Sequence, residues 1–431
     1  MEELVYDYPF KKIKSFSYTK KEKQILRELA KKKAEIAALP IHKEKINMWK
    51  RLNGLKKVRP LVWINEIPWH EMDVENELKL QSTSDFGRFL ELRLRRTIYQ
   101  WEHMRADMIV EPTLPCYLEI NDTGFQISEK AETAMTDEVS DIYSRGFKPQ
   151  IQNEEDIEKI KIPKVIHNKK ITEEKYHKMV DIFDGILEIK LTGIPGFWFS
   201  PWDELIRWWG VEEALTDMIL RPKLVHMVMQ KLTDAYLKQL EQYEELNLLS
   251  LNNCNYRTGS GGLGYTEELP QIGYSKDHIH TVDLWGSGTA QIFSNVSPEM
   301  HDEFALQYEI KWMQKFGLNY YGCCEPLDKK IDMLRKIPNL RKISMSPWAN
   351  IEIGAANIGN DFVFSYKPNP GIFVTDNWDP DLIKVGLFND LKKIKNCSVE
   401  VIMKDISTVE YKPHRLWEWA KMANEVAEDL I

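Results

Sequence analysis

A chain of 431 residues with a formal net charge of −8 has room for one large α/β domain or two domains, and its charges are mixed in sign along most of its length, which argues against a nucleic-acid or anionic-membrane surface. Five cysteines, an odd number, define no disulfide framework, so reduced thiols are expected. No apolar run reaches the roughly twenty residues of a membrane span, and the start MEELVYDYPF lacks the layout of a signal peptide, so a cytoplasmic protein without membrane or nucleic-acid partners is expected.

The basic run 20–33 is interleaved with Glu22 and Glu28 and reads as a solvated helix face. Ile25, Leu26, Leu29, Ile36 and Leu39 recur at helical spacing, which predicts an N-terminal helical segment over 1–58. Beyond it, short apolar strands are predicted at 60–64, 107–111, 190–194, 248–252, 318–323, 342–345, 362–366 and 399–403. Helices are predicted at 85–103, 222–246, 298–316, 327–335 and 415–429. Near-continuous apolar strands separated by helices imply a parallel sheet covered on both faces. Eight of them predict a TIM-type (β/α)8 barrel over 59–431, with long loop insertions near 115–185 and 253–290.

In such a barrel the carboxyl ends of the strands carry the chemistry. The residues there include Glu66 and Trp69, Glu111, Trp198 and Asp203, Asn252, Cys323, Cys324 and Glu325, Trp348, Lys367, and Lys404 with Asp405. Two thiols beside a carboxylate, in LNYYGCCEP (318–326), crowd metal ligands and a nucleophile onto one strand end. The same cysteines also read as small buried apolar residues. Consecutive strand residues point to opposite faces, so one of the two thiols is expected to be structural unless the strand has already ended. The second insertion carries a glycine run, 258–264, that lacks the lysine of a phosphate loop and reads as a flexible lid. His278 and His280 follow it, two apart and on one face of a strand, either a surface pair or metal ligands, with His280 the better candidate.

Segments 191–210 (LTGIPGFWFSPWDELIRWWG), 283–316 (DLWGSGTAQIFSNVSPEMHDEFALQYEIKWMQKF) and 318–325 resemble the superfamily of uroporphyrinogen decarboxylase and the corrinoid-linked methyltransferases, a family of TIM-type barrels. The decarboxylases carry an arginine-rich motif after the first strand, whereas this chain has Trp63-Ile-Asn-Glu-Ile-Pro-Trp69 there, so the resemblance is to the methyltransferase branch. That branch holds zinc with a His-x-Cys motif at the end of the fifth strand and a distant cysteine after the eighth. Cys324 falls on the motif cysteine, Gly322 stands in place of the histidine, and Lys404 and Asp405 stand in place of the distant cysteine.

What the resemblance implies is methyl transfer between a small methylated substrate and a corrinoid carried by a partner protein, with zinc as Lewis acid on Cys324, Cys323, Glu325 and His280. Glu66, Glu111 and Asp405 are then the candidate proton carriers. Trp69, Trp198, Trp285 and Trp348 are candidate apolar walls, and Asn252 and Lys367 candidate substrate contacts. Two other functions fit the same residues. One is a metal-free decarboxylase or lyase whose Lys367, Lys404 and Arg257 hold a small carboxylic acid; the other is a barrel that serves as a non-catalytic subunit.

Overall fold

The computed structural model describes residues 13, 15–73, 75–134 and 144–430; the MEELVYDYPF stretch lies outside the described residues. Twelve strands occur among them: β1 (Leu61–Ile64), β2 (Thr113–Tyr117), β3 (Ile120–Asp122), β4 (Ala131–Ala134), β5 (Ser144–Phe147), β6 (Val165–His167), β7 (Glu188–Thr192), β8 (Trp285–Gly288), β9 (Leu318–Tyr321), β10 (Leu340–Met345), β11 (Val363–Tyr366) and β12 (Ser398–Met403). Six form one sheet in the order β1-β12-β11-β10-β9-β8, and every pairing in it is parallel. Its strands β9, β10 and β11 are buried almost throughout, as a sheet covered on both faces requires.

β2 and β7 form a separate parallel pair. Backbone contacts link the segments around this pair to both edges of the large sheet. Asp107 N donates to Val62 O beside β1, and Phe199 bridges Gly288 of β8, while Ile194 bridges Leu249. Two antiparallel pairs, β3 with β6 and β4 with β5, occupy the first long insertion.

The helices Lys20–Ala37 and Ile41–Asn53 are folded onto this body. Glu22 closes a capping box with Thr19 and also accepts backbone N–H bonds from Thr83 and Ser84, so one carboxylate caps two helix starts. Burial would raise its pKa, but those N–H groups bring it down to about 2. Leu26 and Ala30 pack with Phe86, Leu90 and Leu94 of the helix Asp85–Met104. Trp49 is fully buried under the sheet, and its indole donates to Asp107 O.

Five expectations change here. The strand expected at 248–252 reduces to an isolated bridge between Leu249 and Ile194, and the helix expected at 327–335 covers only Ile331–Leu334. The segment 107–111 is buried but is not a strand; pairing begins at Thr113. The helix expected over 298–316 is interrupted by a π-helical turn, Asp302–Leu306, between Pro298–His301 and Gln307–Met313. The glycine run is no lid. Thr258, Ser260 and Leu263 are buried, and the run lies against side chains of the sheet, where Gly262 N donates to Glu400 Oε1. A Cβ at Gly261 would sit 2.4 Å from Tyr320 Cε2, and one at Gly262 2.4 Å from Trp49, so only glycine lets the chain approach this closely.

Candidate active site

β9 ends at Tyr321, and Gly322 turns the chain with φ of 97°. Because the strand stops before the cysteines, Cys323 and Cys324 are not sent to opposite faces: their sulfurs lie 3.4 Å apart and both line one open cavity of about 980 Å³. The expectation of one functional and one structural thiol is replaced by a dithiol.

Four charged side chains surround it. Lys404, which follows β12, places Nζ 3.7 Å from Cys323 Sγ, 2.6 Å from Asp405 Oδ2 and 3.3 Å from Glu66 Oε2. Glu66, after β1, also accepts from Arg257 Nη1 at 2.8 Å and from the Asp405 backbone N–H at 3.1 Å. Glu66 and Asp405 both have positive φ, 51° and 56°, so the backbone is turned at each strand end to aim these groups. Behind Cys323, the buried Lys367 Nζ contacts Ser260 Oγ at 2.8 Å, Tyr320 Oη at 3.0 Å, Cys323 O at 3.4 Å, and Ser344 Oγ.

The surroundings split the two thiols. The hydrogen bond from Cys324 lowers the Cys323 pKa, and Lys404 and Lys367 lower it further against the effect of burial. The same hydrogen bond, with burial, raises Cys324 well above the ordinary thiol range. The two thiols are thereby set apart, Cys323 drawn toward the thiolate and Cys324 toward the neutral thiol. Burial would raise Glu66, yet Lys404 and Arg257 hold it below the ordinary carboxylate range. Asp405 is raised by burial and by the neighbouring Glu66, against Lys404. Burial works against the Lys404 ammonium, but Cys323, Glu66 and Asp405 together raise its pKa.

Of the other expected site residues, Trp198 lines the cavity. Glu111 does not: its carboxylate accepts from the Tyr265 hydroxyl at 2.8 Å, and its backbone oxygen from Lys33. Asn252 and Trp285 are bound to each other through two hydrogen bonds of 2.9 Å, and the Trp285 indole donates to Gly264 O; both line a small pocket with Trp198 and Arg257 rather than the large cavity. Trp69 packs edge-on against Tyr99 under Arg96. Trp348 is 73% exposed and stands away from the cavity. Sequence reasoning missed Ser260, Ser344 and Tyr320, the hydroxyls that hold Lys367, and Gln291, which donates to Asp203 Oδ2 at 2.6 Å. Gln291 follows β8, a strand hidden inside the expected insertion, and recognising that strand is the signal that exposes it.

No family model matches the chain, and no curated protein matches it either. Solved structures do match, 21 chains in all. One is a methyltransferase from Methanosarcina mazei, 11% identical, covering 88% of this chain and 98% of that chain with a TM-score of 0.50. At that identity the likeness is one of fold, mixed α/β with a parallel sheet.

The residues present do not fit the expected zinc ion. His280 precedes the amino end of β8, whereas Cys323 follows the carboxyl end of β9; the strands are parallel, with Trp285 opposite Leu318, so the two groups lie at opposite ends of the sheet. His280 Nδ1 is instead 2.8 Å from Glu244 Oε1. Glu325 is fully buried and turned inward, accepting from the Thr289 hydroxyl and the Cys323 N–H, both at 2.8 Å. What remains is two sulfurs and Asp405, and the positive charge among them is the ammonium of Lys404. Among the described residues, only Glu77, Glu102 and His103 bring three ligand atoms within ion-binding distance of one another, and they lie elsewhere.

Proposed function

We propose that this chain is a methyltransferase, built on a closed (β/α)8-type barrel, that moves a methyl group between a small methylated substrate and a corrinoid carried by a partner protein. Backbone contacts from both sheet edges toward the β2–β7 pair support closure of the barrel. The observation that carries the function is the Cys323 sulfur 3.7 Å from the Lys404 ammonium, both lining the cavity. The corrinoid, when its carrier docks, supplies the cobalt that gives or takes the methyl group.

The chain's own residues bind, orient and hold a proton. Lys404 is the group placed to meet the heteroatom that bears the methyl group: its ammonium stabilises charge that develops there as the bond to carbon breaks. Glu66 and Asp405 fix Lys404 in place, and the sulfur of Cys324, 3.4 Å away, favours the thiolate form of Cys323. An ammonium thus takes the electrostatic part that a Lewis-acid metal plays in the resembled family.

The decarboxylase or lyase reading loses its footing in the ion pairs. Arg257 is bound to Glu66 and Lys367 is sealed behind Cys323, so of the three cations meant for a substrate carboxylate only Lys404 is left, its charge offset by Asp405 and Glu66.

The test is methyl transfer followed by the visible spectrum of a corrinoid protein. Lys404→Met is expected to slow the reaction about 100-fold, the usual contribution of one group placed to stabilise developing charge. Full activity in that variant, or no spectral change with any methylated substrate, overturns the reading. Metal analysis is the second check: stoichiometric zinc that disappears in Cys324→Ala would return the zinc mechanism.

A further inference from the structure

The same cavity has a second end, away from the cysteines, whose charge is not balanced. Three of its carboxylates have cationic partners: Glu66 has Arg257, Asp405 has Lys404, and Glu204 Oε1 has Arg207 Nη2 at 2.8 Å. Asp203, which also lines the cavity, has none among the described residues. Arg207 reaches it only through the backbone, its Nε donating to Asp203 O at 3.0 Å, and the side-chain oxygen Oδ2 accepts from the neutral amide of Gln291.

Aromatic rings stand beside this carboxylate. Trp198, Trp208 and Tyr236 line the cavity with Asp203, and Phe125 packs edge-on against both of the latter rings at 5.9 and 4.6 Å. Burial raises the Asp203 pKa, against the hydrogen bond from Gln291 and the field of Arg207. Ring faces next to an unpaired carboxylate are the surroundings that recognise an ammonium group whose charge is spread over methyl or methylene carbons.

We propose that the Asp203–Trp198 end of the cavity binds a cationic group, so that the methyl donor or acceptor is an ammonium-bearing compound, anchored there by its charge and reaching Cys323 and Lys404 with its reactive end. The inference rests on the methyl-transfer reading for the word donor, and on the charge balance alone for the cation. A carboxylate-bearing or uncharged substrate is disfavoured, because among the described residues the cations lining this cavity are each paired with a carboxylate while Asp203 is not.

Calorimetric titration of the full chain tests it with three probes of one shape: choline, its uncharged isostere 3,3-dimethyl-1-butanol, and the anion pivalate. Choline is expected to bind at least about tenfold more tightly than the alcohol, the order of a cation–aromatic contact reinforced by one carboxylate. Asp203→Asn is expected to bring choline and the alcohol within about twofold of each other. Should that variant fold poorly by circular dichroism, Trp198→Leu reads the same contact through the ring and is expected to weaken choline without changing the alcohol. Equal binding of choline and the alcohol, or tighter binding of pivalate, overturns the cation site. Preference for choline in a chain that methylates no corrinoid keeps the cation site and removes methyl transfer. Methyl transfer from uncharged or anionic donors alone does the reverse.

Discussion

Two identical side chains at the end of β9 acquire different chemistry from what touches them. Cys323 takes a hydrogen bond from Cys324 and lies between Lys404 and Lys367, and these lower its pKa; Cys324 gives that hydrogen bond and is raised. A thiolate alkylates and a thiol does not, so iodoacetamide is expected to label Cys323 first and at a pH below the ordinary thiol range. Replacing Lys404 with Met removes one of the charges that favour the thiolate, and the rate profile should then move to higher pH. Labelling of Cys324 first, read by mass spectrometry of the peptides, would contradict the assignment. The residue types were legible from LNYYGCCEP alone. Their roles were not, because the expected alternation of faces depends on where the strand stops, and Gly322 stops it one residue before the first cysteine.

At the scale of elements, the glycine run and the buried pair Lys342–Glu400 form one unit under the sheet. Nζ of Lys342 lies 2.8 Å from Glu400 Oε2, both side chains are wholly buried, and Glu400 also accepts from Gly262 N. Removing one partner leaves a buried charge, so Lys342→Met is expected to destabilise the chain by about 3–5 kcal/mol in a denaturant titration. The double change Lys342→Met with Glu400→Leu should recover most of that loss; no recovery would mean the pair does more than balance itself. Gly262→Ala forces a methyl group toward Trp49 and is expected to lower stability by about 1–3 kcal/mol, visible as a lower Tm. Strands β9 to β12 were readable because their apolar runs are nearly unbroken. β8 was not: Trp285-Gly-Ser-Gly has little strand propensity, and it is its neighbours Phe199 and β9 that draw it into the sheet. β2 was displaced from its expected position in part because Pro112 and Pro115 break the pattern of a strand that survives by pairing only with β7.

Across the whole molecule, the interior stores titratable groups that couple its stability to pH. Glu309 is fully buried; burial pushes its pKa from 4.5 to about 8 despite the hydrogen bond from the Tyr321 hydroxyl. The folded chain holds this proton up to about pH 8, while the unfolded chain releases it near 4.5, so the folded state binds more protons in that window. The contribution of Glu309 to stability is therefore present below the lower value and is lost as pH rises to the upper one. Glu309→Gln keeps a neutral side chain at every pH, and its Tm should fall less than that of the parent chain between pH 5 and 8. Parallel Tm profiles for the two chains would show that Glu309 is not protonated in the fold. No helix among the described residues is long and apolar enough to cross a membrane, which agrees with the mixed polarity read from the sequence.

The order of apolar strands and amphipathic helices, and the presence of thiols, carboxylates and lysines at the strand ends, are properties of local composition and periodicity, and the sequence alone determined them. Which of those groups meet was decided by tertiary structure, because parallel pairing sets the direction of each strand. It sends His280 to the amino end of the sheet and Cys323 to the carboxyl end. It folds the glycine run against the sheet, where Glu400 and Trp49 meet it. It brings Lys404, 81 residues from Cys323 along the chain, to the sulfur. Charge pairing acts through space, and no spacing along a chain encodes which carboxylate is left without a partner.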